Sequence, residues 1–65
     1  MTTIYSRVTA ATDRLSSEGV QRGQVGYVVE VWKDGALEVE FMRPDGTTTW
    51  LGPMAEDEVA VADAE

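Results

Sequence analysis

The chain has 65 residues, carries 12 acids against 5 bases for a net charge of −7, and contains neither cysteine nor histidine. A single domain of this length buries only about 60% of its unfolded surface, which leaves little material for a deep pocket, and the composition excludes disulfides, thiolate metal sites and the commonest general base. A surface of this sign repels phosphate backbones and anionic lipid, so direct nucleic-acid or membrane binding is not expected, and the charge serves either plain solubility or a basic protein partner.

No stretch approaches the roughly 20 apolar residues of a membrane helix. Met1 to Ser6 has neither the basic start nor the apolar run of a signal peptide, so the cytoplasm is the expected location. Residues 5–11 are β-branched, aromatic or small and predict a first strand. Thr12 or Asp13 as a cap also allows a helix over Ala10 to Ser17, but the strands that follow favour the extended reading. Asp13 to Gln24 holds Ser16, Ser17, Gly19 and Gly23 without a sustained period and reads as a long loop, with Leu15 and Val20 as small apolar plugs beneath it.

Val25 to Trp32 is the strongest strand. Alternation sets Val25, Tyr27, Val29 and Val31 on one face and Gly26, Val28, Glu30 and Trp32 on the other. Both faces carry apolar residues, as in a closed barrel, and a bulge at Gly26 would switch the phase, so the register stays open. Asp34-Gly35 predicts a two-residue type I′ hairpin turn, which needs positive φ at both central positions. Ala36 to Met42 alternates cleanly, with Leu37, Val39 and Phe41 inward and Glu38 and Glu40 outward. Pro44-Asp45-Gly46 predicts the next turn. Thr47 to Leu51 predicts a strand that Gly52-Pro53 ends, Pro53 to Asp57 can form one 3₁₀ turn, Val59 and Val61 mark a short last strand, and Ala62 to Glu65 is expected to fray.

These elements predict an all-β chain, a single domain over residues 1–65 with its ordered core at about 5–61. About five short strands, a long first loop and a 3₁₀ turn before the last strand are the layout of a small SH3-like barrel, closed so that no edge strand remains. The run from Glu18 to Val31, then Gly35 to Phe41, then Asp45-Gly46-Thr47, resembles a family of tiny bacterial proteins known as domain-of-unknown-function family 4926. The likeness covers roughly residues 7 to 61 and rests on two glycine positions, a Val-Val-Glu-Val strand and a Glu-Val-Glu-Phe strand in order. Tyr27 departs from it where a small residue is usual, and Thr49-Trp50-Leu51-Gly52-Pro53 replaces a more aliphatic stretch. The resemblance implies an SH3-like fold and supplies no catalytic residues. Members are often encoded beside toxin-like proteins, which implies an antitoxin or immunity role by association. A looser likeness to small acceptor-side subunits of photosynthetic complexes rests on Gly-x-Val and Val-x-Phe strands; those dock ferredoxin through basic surfaces, and −7 argues against that role.

Glu30, Glu38 and Glu40 form the candidate functional face; Asp34 and Asp45 at the hairpin tips can extend it, though both are also fully explained as turn residues. Paired carboxylates can act as an acid–base couple, but that needs a cleft to perturb one of them, and an exposed strand face offers none. The same oxygens suit Mg²⁺ or Ca²⁺, yet Glu56-Asp57-Glu58 lacks EF-hand spacing. No catalytic residue, metal site or cofactor is therefore expected. A peptide-binding SH3 groove would use loop acids such as Asp13 and Glu18 with Trp32 and Trp50, but the paired-tyrosine motif is missing. The favoured reading is a non-catalytic module that binds a basic protein, such as a toxin, through Glu30, Asp34, Glu38, Glu40 and the two tryptophans Trp32 and Trp50. The alternative is a small structural or regulatory subunit of a larger complex. The oligomeric state is left open.

Overall fold

A computed structural model describes residues 4–61; the expected fraying of Ala62 to Glu65 falls outside them. Five strands, β1 (Arg7–Ala10), β2 (Val25–Val31), β3 (Leu37–Met42), β4 (Thr48–Met54) and β5 (Val59–Val61), form one antiparallel sheet in the order β4-β3-β2-β1-β5. That is the expected all-β architecture in SH3-like order, with 3₁₀ turns at Ser16–Glu18 and Glu56–Glu58. No helix forms over Ala10 to Ser17 beyond the first of these turns.

The alternation of β3 sets the core. Leu37, Val39 and Phe41 are buried, and they meet Val28 of β2, Val8 and Ala10 of β1 and Met54 of β4. Leu15 and Val20 close the cluster from the long loop, as expected. Their position follows from the turn between them. Gly19 adopts φ 94°, its N–H reaches the Ser16 carbonyl, and the Val20 N–H reaches back to the carbonyl of Leu15. This is a Schellman arrangement, in which the flanking apolar pair packs together.

Gly26 and Val28 face inward on β2, while Val25 and Tyr27 face out. The phase does switch along this strand, but at Val29 rather than Gly26: the pairing shifts from Val28↔Val39 to Glu30↔Glu38. Gly26 has a different task. A Cβ there would lie 2.7 Å from the Phe41 ring and 2.9 Å from the Glu40 carbonyl oxygen. Glycine thus lets a buried phenyl ring lie flat on the neighbouring strand.

One backbone device turns the chain repeatedly. At Gly23 opposite Ala10, Gly35 opposite Trp32 and Gly46 opposite Arg43, the glycine N–H bonds the opposite carbonyl, and the opposite N–H bonds the residue after the glycine. Each is a glycine bulge with φ between 90° and 92°. The Asp34-Gly35 turn is therefore not type I′. Only Gly35 has positive φ, and the loop is the three residues Lys33-Asp34-Gly35. Asp34 lies outside the left-handed region, and its carboxylate accepts the Ala36 N–H at 3.0 Å, which steadies the turn. Asp45 repeats the device with Thr47, whose N–H and hydroxyl hold that carboxyl below its usual pKa. The same pattern occurs a fourth time before β1, where Tyr5 and Ser6 oppose Val28. Here a tyrosine holds the glycine position at φ 68°, a backbone that costs an L-residue roughly 1–2 kcal/mol.

Two expectations are corrected on the far side of the sheet. Gly52-Pro53 does not end β4, which runs on to the buried Met54. Proline is tolerated because β4 is an edge strand: the Pro53 carbonyl points away from β3 and accepts the Arg14 guanidinium, so the missing N–H falls on the unpaired side. The sheet is also not closed, since β4 and β5 do not pair. With β5 only three residues long, too little strand remains to complete a ladder. Instead a side chain bridges the gap. Arg14, from the long loop, grips Glu58 with Nε–Oε2 at 2.6 Å and Nη2–Oε1 at 2.9 Å. Glu58 also accepts the Ala55 N–H at 2.9 Å, half of a capping box, because Ala55 has no oxygen to reciprocate. Arg14 first, and Ala55 second, hold the Glu58 carboxyl below the usual range.

Candidate functional site

The pairing register builds the outer face of the sheet row by row. One row runs Arg7, Tyr27, Glu40, Leu51 across β1, β2, β3 and β4. The next sets Glu30 directly opposite Glu38, with Pro53 beyond. Directly opposed residues on a sheet have Cβ atoms about 4.5–5.5 Å apart, and like charges there oppose folding. Among the described residues no cation pairs with Glu30, Glu38 or Glu40; the ion pairs are Arg14–Glu58, from the long loop to the 3₁₀ turn before β5, and Arg22–Asp13, within the long loop. Glu40 is steadied by the Thr48 hydroxyl, which donates to Oε2 at 2.6 Å.

Three of the residues expected at the site therefore lie together: Glu30, Glu38 and Glu40 on the outer face. Trp32 and Asp34 sit at the end of the β2–β3 hairpin, with Trp32 49% exposed. Trp50 lies apart from all of them. It opposes Phe41 on the inner face, ring centroids 6.3 Å apart and tilted 44°, and its indole covers Gly52. A second register shift, at Thr49, turns it inward.

Sequence reasoning did not single out Tyr27 and Leu51 for the site, yet they flank Glu40 on the outer face and are 40% and 52% exposed. The alternation of β2 already separated Tyr27 from Val28. Leu51 had no such signal, because the bulge at Thr49 breaks the period of β4.

An open cleft of about 490 Å³ lies between Asp34-Gly35-Ala36 and Ala55-Glu56-Asp57. Its acids do not converge: among the described residues no group of three or more acidic side chains is placed to hold a metal ion. The outer face is likewise an open surface, suited to contact over an area. Comparison with curated proteins and with solved structures returns no match. Residues 4–61 match the family model described as "Domain of unknown function (DUF4926)", and the chain belongs to that family.

Proposed function

We propose that the chain is a non-catalytic protein-binding module, an antitoxin or immunity protein whose acidic outer face covers a basic surface on a partner such as a toxin. The observation that carries this reading is the direct opposition of Glu30 and Glu38 without a compensating cation among the described residues. A chain this small retains only a few kcal/mol of stability, and a repulsive pair on the β2–β3 hairpin works against folding. A cationic partner turns that cost into attraction and accelerates encounter. The absence of cysteine suits a reducing compartment, and we propose the cytoplasm as the setting. No described helix is long and apolar enough to cross a membrane. A second reading, a small subunit of a larger assembly, draws on the exposed Tyr27 and Leu51.

Glu38→Lys separates function from folding. Lysine opposite Glu30 replaces repulsion with attraction, so the variant should be more stable by about 0.2–1 kcal/mol. It should also lose a partner captured by the tagged wild-type chain from its native cells at low salt, and high salt should release that partner from the wild type. Undiminished capture by Glu38→Lys refutes the acidic-face reading. A salt-resistant assembly containing several proteins favours the subunit reading.

A further inference from the structure

The acids do not stand on a uniformly polar surface. Tyr27 and Leu51 flank Glu40 in one row, two strands apart and thus about 10 Å from each other. The repulsive pair Glu30–Glu38 occupies the neighbouring row. Val25, also exposed, continues the apolar side beyond Tyr27 on the same strand face.

We infer that this face docks an amphipathic protein segment that brings arginine or lysine to Glu30 and Glu38 and aliphatic side chains to Tyr27 and Leu51. The inference rests on the protein-binding reading above and names the chemistry of the partner. Charge selects the occupant. A second copy would set Glu30 and Glu38 against the same acids, and each copy carries −7. Nucleic acid and anionic lipid carry the same sign again. A segment that is cationic but wholly polar would leave Tyr27 and Leu51 in water, and tyrosine is a residue type on which interface energy concentrates. Glu40, oriented by Thr48 between the two apolar side chains, fixes the register of a cation with respect to them.

The test is an amide-resolved NMR titration of the full chain with a synthetic amphipathic peptide of arginine and leucine, and with the same peptide carrying serine for leucine. The arginine–leucine peptide should shift the amides of Tyr27, Glu30, Glu38, Glu40 and Leu51, and the serine peptide should bind about tenfold more weakly. Leu51→Ala and Tyr27→Ala, both at exposed positions and checked for an unchanged melting temperature, should each weaken the first peptide several-fold. Shifts confined to other surfaces, or none up to about 1 mM peptide, overturn the inference. It is also overturned if Glu38→Gln weakens binding while Leu51→Ala and Tyr27→Ala do not; in that case the acidic-face reading survives and only the composite surface falls. Loss of the native partner on Glu38→Lys tests the earlier reading separately.

Discussion

Replacing Gly26 with alanine tests whether the core is as tight as the sheet geometry implies. The new Cβ would lie 2.7 Å from two atoms of the Phe41 ring and 2.9 Å from the carbonyl oxygen of Glu40. Phe41 is fully buried and the carbonyl belongs to the backbone, so neither can swing clear. Overpacking of this kind costs about 1–3 kcal/mol, and the lower backbone entropy of alanine in the unfolded chain returns only about 0.5–1 kcal/mol. The net loss is about 1–2 kcal/mol, or a fall in melting temperature of about 5–15 °C for a chain of this size. Gly52→Ala is the matched control. Its Cβ also meets a ring, Trp50, at 2.8 Å, but that side chain is only half-buried and can tilt toward solvent. Its cost should stay below about 1 kcal/mol, since a movable neighbour relieves overpacking. Urea unfolding with a shared m-value gives both numbers. Adding Phe41→Leu to Gly26→Ala should shrink the alanine penalty, because the ring atoms in conflict are gone. If Gly52→Ala costs as much as Gly26→Ala, or Phe41→Leu leaves the penalty unchanged, the close approach of Phe41 is not what requires glycine.

The Arg14–Glu58 clasp predicts an acid-sensitive part of the stability. Because the folded state depresses the Glu58 pKa, the unfolded chain binds the proton more readily, so the contribution is present above the unfolded value and lost as pH falls through the folded one. With the Glu58 side chain 21% exposed, solvent screening limits the pair to about 1 kcal/mol. The stability difference between wild type and Glu58→Gln should be constant above about pH 5 and vanish in acid, leaving aside Asp45, which titrates in both proteins; a difference that persists at about pH 2 refutes the assignment. At the hairpin tips, Gly35→Ala and Gly46→Ala should each cost about 1 kcal/mol from the left-handed backbone alone, since nothing lies within 4 Å of the added carbon. Asparagine should cost less at either position, and equal losses for alanine and asparagine would point to a cause other than φ.

What the sequence disclosed was governed by local rules. Strict alternation over Leu37, Val39 and Phe41 marks the inner face, and Asp-Gly twice marks the hairpins but not the turn type, because a three-residue loop with one left-handed glycine has the same dipeptide at its end. Leu15 and Val20 were legible as plugs because they are the large aliphatic residues in an otherwise polar loop. The rest depended on tertiary context. Gly52-Pro53 carries the usual signal for stopping a strand, and only the edge position of β4 cancels it. The bulges at Val29 and Thr49 shift the phase of β2 and β4 without a residue type that announces them, which hid the sides on which Trp50 and Leu51 lie. Arg14 and Glu58 are 44 positions apart, so their pairing has no local trace. The direct opposition of Glu30 and Glu38 depends on the three-residue loop, since a two-residue turn at Asp34-Gly35 would set Glu30 against Val39.

Strands β1 and β5 lie side by side, with Val8 opposite Val61, so the first and last strands of the described segment are neighbours. Antiparallel neighbours hold such positions about 5 Å apart, a gap that a surface loop of another protein can span. The domain can thus be spliced into a host chain as a self-contained insert. The same adjacency permits the reverse operation, in which the ends are joined by a short linker and the chain is cut at the Gly35 or Gly46 tip, leaving the β1–β5 ladder within one continuous polypeptide.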